Sequence, residues 1–167
     1  MPHPSPDREE LKRLYREAIR QHAADPVGYR QSIAATHRHE EYNPLCGDRV
    51  ELMFRVDGDR VEAAAFDGAA CAICMASASL VCSLAPGRTT VGLRDLGEAL
   101  QRELDGSVGA RFARDRAQYP LLQENETHDT ESKLPEALSP LLGVRPYPSR
   151  IRCATLPWTA AQRALAD

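Results

Sequence analysis

The sequence predicts an α+β fold, a small antiparallel sheet with helices packed on one face, and three observations lead to it. An alternating stretch from Arg49 to Val56 is followed by Asp57-Gly58-Asp59 and a second run from Val61 to Phe66, which reads as a β-hairpin. Elsewhere apolar residues recur at helical spacing, as Leu11, Leu14, Tyr15, Ala18 and Ile19 do. Aromatic residues make up only 5% of the chain, so the core draws on Leu, Val, Ile and Ala, a composition suited to a mainly helical protein.

Taken in order, Ser5 and Pro6 form a cap and first-turn pair that opens helix one, about 6 to 24. Asp25 to Asn43 has weak periodicity and a polar cluster from His37 to Glu41, so it reads as loop or irregular strand. In the first strand, Val50, Leu52, Phe54 and Val56 point one way and Arg49, Glu51 and Arg55 the other. Asp-Gly tolerates the positive backbone angles of a tight turn, which brings the second strand back antiparallel. Ala69 to Leu84, rich in alanine and closed by Pro86-Gly87, is a buried helix that starts near Cys71. Thr89 or Thr90 caps the next helix, expected to reach about Leu104. Arg111 to Arg116 is charged and Gln123 to Lys133 wholly polar, which predicts an exposed insertion at about 105–133. Leu134 to Leu142 is a short helix with Pro135 in its first turn and Gly143 past its end, and a last helix covers roughly 150 to 166.

With 167 residues and 43% hydrophobic content, the expectation is a single domain over 1–167. The net charge of −3 comes from 21 basic and 24 acidic residues mixed along the chain, without the basic stripe that nucleic-acid binding needs. No apolar run approaches the about 20 residues of a membrane span, and Met1 to Glu10 lacks the apolar centre of a secretory signal. The protein is therefore expected in the cytoplasm, with neither nucleic acid nor membrane as partner. Five cysteines in a reducing compartment point to ligands or nucleophiles rather than disulfides.

Three of those cysteines stand at element ends. Cys46 precedes the first strand, Cys71 opens the buried helix, and Cys153 lies near the start of the last helix. Backbone N–H groups at a helix N-terminus favour thiolates, which is expected at Cys71 and Cys153. Gly47 lets the backbone turn between Cys46 and Asp48, so both side chains can face one metal. Three thiolates and one carboxylate would fill a tetrahedral zinc shell. The gaps are long and match no general zinc motif, so three buried structural cysteines remain an equal alternative on this reading.

Asn43-Pro44-Leu45-Cys46-Gly47-Asp48, Ala70-Cys71-Ala72-Ile73 leading to Met75-Ala76-Ser77-Ala78-Ser79, and Arg150-Ile151-Arg152-Cys153-Ala154-Thr155-Leu156-Pro157-Trp158 occur in that order. Together they resemble the SufU branch of the IscU/NifU-like iron-sulfur cluster assembly proteins, over Leu11 to Ala164. The resemblance implies a SufE/IscU-like fold and a zinc ion on Cys46, Asp48, Cys71 and Cys153. It further implies that Cys46 accepts persulfide sulfur from a SufS-type cysteine desulfurase, with downstream cluster assembly proteins as further partners. The long stretch before Cys153, and Arg152 where scaffold members carry a histidine, favour sulfur transfer. The alternative is a scaffold on which an iron-sulfur cluster is assembled at the same ligands. Ala70 replaces the family's glycine before the second cysteine, and Cys74 its usual serine.

Cys71-Ala72-Ile73-Cys74 also has the spacing of a redox dithiol, although Cys74 reads better as a packed thiol or a spare sulfur acceptor. Cys82 lies too far along the same helix to share the metal and is expected in the core. His37 and His39 could share a strand face and a metal, but a solvated polar segment is the simpler reading. His22 suits the C-terminal end of helix one, and Arg152 could either stabilise charge at Cys153 or pair at the surface.

Overall fold

The computed structural model describes residues 7–112 and 134–166, with 106–112 as backbone. Helix α1 spans Arg8–Ala24, and its cap is Asp7, whose carboxylate accepts the Glu10 amide at 2.8 Å. The expected cap pair, Ser5 and Pro6, lies outside the described residues. Strands β1 (His37–Asn43), β2 (Asp48–Asp57) and β3 (Arg60–Ala69) form one antiparallel sheet in the order β1-β2-β3. Helices α2 (Ala72–Leu84), α3 (Thr90–Phe112) and α4 (Pro148–Ala164) follow, with a 3-10 helix, Glu136–Val144, before α4.

The hairpin, the buried helix and the last helix fall where the sequence places them. The 37–43 segment does not: it is a regular strand paired with β2 from His37↔Phe54 to Asn43↔Asp48. Helix α3 continues past Leu104 to Phe112, so the first part of the expected insertion is helical, and the remainder lies outside the described residues. Thr89 caps α3, its hydroxyl accepting the Gly92 amide at 2.9 Å. The 136–144 segment is 3-10 rather than α and includes Gly143, and Pro140 within it removes an amide that an α-helix would use.

The core sits between one face of the sheet and the helices. Val50, Leu52 and Phe54 alternate inward along β2, all within 1% of full burial, and α2 and α4 cover that face. Trp158 of α4 is the largest fully buried side chain. Helix α1 packs on α2 and the 3-10 helix, and α3 packs on α4. Among the described residues no helix is long and apolar enough to cross a membrane.

Candidate metal centre

The β1–β2 hairpin loop is built by Asn43. Its side-chain oxygen accepts the Leu45 amide at 3.0 Å, and its backbone carbonyl accepts the Gly47 amide at 2.8 Å. Gly47 closes the turn at a φ of +75°, a conformation that a Cβ would strain. The loop therefore leaves Cys46 exposed at its tip and turns Asp48 inward to 4% exposure. Asp48 shares the inward row of β2 with Val50 and Leu52.

Strand β3 ends against the same corner. At Gly68, with φ +153°, an added Cβ would stand 2.1 Å from the Arg49 carbonyl oxygen, so only glycine allows the strands to approach here. Two residues after the strand's last residue the chain enters α2, with Cys71 as N-cap. The Cys71 amide donates to Asp48 Oδ1 at 2.8 Å, tying the helix start to the strand start.

Helix α4 brings the third cysteine. Ser77, fully buried in α2, donates its hydroxyl to the Ala154 carbonyl at 2.5 Å and locks α2 to α4 beside Cys153. The Cys153 thiol donates to the Ser149 carbonyl at 3.5 Å. The ligand atoms of Cys46, Asp48 and Cys153 lie within 4.8 Å of one another. The Cys71 thiol falls outside that mutual limit but borders both Asp48 and Cys153.

Charge at this corner is asymmetric. Burial raises the Asp48 carboxyl, but the Cys71 amide and the thiols of Cys46, Cys71 and Cys153 more than offset it, so the group stays below the usual carboxylate range. Burial pushes the Cys153 thiol well up, and its neighbours Cys71 and Asp48 push further. The thiolate expected at Cys153 from the helix N-terminus is thus not favoured in the metal-free protein. The residue stands in the second turn of α4, beyond the reach of the terminal N–H groups, and next to a negative charge.

One further atom bears on a metal. Asp48 Oδ2 is buried and, among the described residues, has no hydrogen-bond donor besides the surrounding cysteine thiols. A buried carboxylate oxygen with only weak thiol donors is costly in a finished fold, and here it stands in a group of sulfur ligands. Three sulfurs and one carboxylate oxygen fit a tetrahedral zinc ion.

The other sequence candidates stay apart from this group. Cys74 is fully buried, its thiol pushed well up first by burial and then by Asp48 and the three cysteines, so it is a packed thiol beside the site. Cys82 is raised to about 12 by burial and packs so closely that a Cβ at Gly28 would lie 2.9 Å from it. His37 Nδ1 meets the Thr36 hydroxyl at 2.7 Å, and His39 Nε2 meets Glu41 at 3.0 Å. His22 does not simply end α1: its Nδ1 lies 2.8 Å from the Ser79 hydroxyl of α2. Arg152 is exposed. Sequence reasoning missed the supporting roles of Asn43, Ser77 and Ser149. Only Asn43, one residue before a proline and four before a glycine, carried a readable turn signal.

Residues 14–103 match the NifU-like N terminal domain family. The chain is 33% identical to the zinc-dependent sulfurtransferase SufU of Bacillus subtilis, across 93% of this chain and 92% of that protein. It is 28% identical to the iron-sulfur cluster assembly scaffold protein IscU of Streptococcus pyogenes, across 93% and 84%. Its fold is similar to the crystal structure of a proposed iron-sulfur cluster assembly scaffold protein for the SUF system from Fervidobacterium islandicum AW-1. The TM-score is 0.67 at 25% identity, covering 90% of this chain and 95% of the other. With a family match spanning over half its length and a relative aligned almost end to end, the chain belongs to the NifU-like N terminal domain family.

Proposed function

We propose that this single-domain protein serves iron-sulfur cluster assembly in the cytoplasm as a zinc-dependent sulfur carrier, with Cys46, Asp48, Cys71 and Cys153 as zinc ligands and Cys46 as sulfur acceptor. The observation that carries the reading is the buried Asp48 carboxylate, whose Oδ2 has, among the described residues, only the thiols of Cys46, Cys71 and Cys153 around it. The relation to a zinc-dependent sulfurtransferase supports it.

Zinc, when bound, would hold the thiols as thiolates at neutral pH. Cys46 alone among the candidate ligands is exposed, on a loop fixed at its base by Asn43 and Gly47. Its thiolate can therefore meet a persulfide presented by a cysteine desulfurase. It attacks the terminal sulfur, a new S–S bond forms at Cys46, the donor's S–S bond breaks, and the donor cysteine leaves as thiolate. No oxidant or reductant is consumed. Asp48 and Cys153, both buried, stay with the scaffold while Cys46 carries the sulfur to a downstream assembly protein.

The test mixes the protein with a SufS-type desulfurase and cysteine. Wild type is expected to gain one sulfur on Cys46 and to stimulate turnover, and Cys46→Ala to do neither. Equal stimulation by Cys46→Ala would remove Cys46 from its role. A visible cluster absorption band, formed by anaerobic reconstitution and persisting after zinc challenge, would favour the scaffold reading instead.

A further inference from the structure

Helix α1, the 3-10 helix and the first turn of α4 enclose an open cleft of about 940 Å³. Its rim carries Arg8, Lys12, Arg16, Arg20 and Arg150, against a single acid, Glu9. That is a local excess of positive charge in a chain whose formal net charge is −3. Glu9 is already occupied by Lys12 at 2.9 Å, and Arg20 lies 3.9 Å from Glu17. Arg8, Arg16 and Arg150 have no salt-bridge partner among the described residues. The floor is apolar, formed by Tyr15, Ile19, Ile73, Val144 and Tyr147. Tyr147 is 60% exposed, and α1 buries none of its residues fully, so among the described residues nothing covers this surface as its apolar stripe calls for.

The cleft is also placed. Ile73 stands two residues beyond Cys71 in the first turn of α2, and Ser149, another lining residue, accepts the Cys153 thiol. One end of the cleft is thus walled by the segments that hold two of the site's cysteines.

We propose that this cleft docks an acidic protein segment with an apolar anchor, belonging to the sulfur donor that loads Cys46; the identity of the donor rests on the function proposed above. Carboxylates on the segment would meet Arg8, Arg16 and Arg150, and an apolar side chain would sit on the tyrosine-lined floor. The cleft is concave with an apolar floor, and α1 carries Glu10 and Glu17 among its basic residues. That pattern suits a short acidic peptide better than the continuous backbone of a nucleic acid. A small free anion would leave the apolar floor unused. Docking there fixes the donor beside Cys71 and Cys153, from which Cys46 is within reach of a mobile persulfide.

The test measures desulfurase binding by the full-length, zinc-loaded chain across a salt series, for wild type and for Arg8→Glu/Arg16→Glu/Arg150→Glu. The triple variant is expected to bind at least roughly tenfold more weakly and to lose most of the salt dependence, since rim charges act on encounter and screening. Inorganic polysulfide, which needs no docking, should load Cys46 equally in both proteins. Unchanged affinity and salt slope in the variant would overturn the docking surface, as would salt-independent or undetectable binding by wild type. Should zinc content or circular dichroism show that the triple variant is misfolded, Arg8→Gln/Arg16→Gln/Arg150→Gln and the wild-type salt slope decide. If wild type takes sulfur from neither polysulfide nor desulfurase, the carrier function fails while the binding comparison still judges the cleft.

Discussion

Asp48 holds the centre together even without an ion. One carboxylate oxygen receives the Cys71 amide, and the other lies buried among the thiols of Cys46, Cys71 and Cys153. Asp48→Ala should therefore act twice. In metal-free protein it strands the Cys71 amide and should cost about 1–3 kcal/mol, read as a shift in the urea midpoint. In the presence of zinc it removes a ligand, and equilibrium titration against a competing chelator should show weaker metal binding. A variant that keeps wild-type zinc affinity would take Asp48 out of the ligand set. Residue chemistry of this kind was legible in the sequence, because Cys-Gly-Asp before a strand allows both side chains to face one point. The protonation of Cys153 was not legible, since it depends on Asp48 and Cys71 being packed against a helix more than eighty residues away.

Elements explain why some of the fold could be read and some could not. Strand β2 alternates because one face meets α2 and α4 and the other meets solvent, and β3 was legible from its Asp-Gly turn and apolar run rather than from a strict alternation. Strand β1 is polar on both faces, so its period is hidden. Its inward Glu41 is satisfied by an ion pair with Arg163 at the far end of α4, which no local pattern announces. A similar long-range tie joins α1 to α2: the Ser79 hydroxyl accepts the Val27 amide at 2.8 Å, and its own proton is free to donate to His22 Nδ1. Partial burial lowers the His22 pKa, so the folded protein favours neutral imidazole. The unfolded chain then binds a proton near pH 6.5 that the folded chain still refuses. Stability should fall as pH drops through and below about 6.5, until the lowered folded-state value is reached. Urea midpoints at about pH 7.5 and 5.5 check this, and His22→Gln should lose part of the difference. An identical pH slope in that variant would show that the histidine is not coupled to folding.

At the scale of the whole molecule, the candidate metal centre sits where three separate parts of the chain converge: the β1–β2 loop, the β3–α2 junction and α4. The meeting point is fixed by Ser77 on the Ala154 carbonyl, by Asp48 on the Cys71 amide and by the Gly68 crossing. The sequence placed the candidate residues at element ends, but their convergence is a product of packing α4 against α2 and the sheet. Because zinc would bind only the folded arrangement, it should stabilise the fold by mass action, by about 4 kcal/mol at a free concentration 1,000 times Kd. Chelation should accordingly lower the thermal midpoint and leave a folded but weaker protein, since the core of Val50, Leu52, Phe54 and Trp158 needs no metal. Complete unfolding on chelation would point to a purely structural ion.

The most direct test is X-ray absorption at the zinc edge of the purified, zinc-loaded protein. The account predicts one ion per chain with three sulfurs at about 2.3 Å and one oxygen at about 2.0 Å, the oxygen replaced in Asp48→Ala. A four-sulfur shell, a shell without sulfur, or no stoichiometric zinc would contradict it.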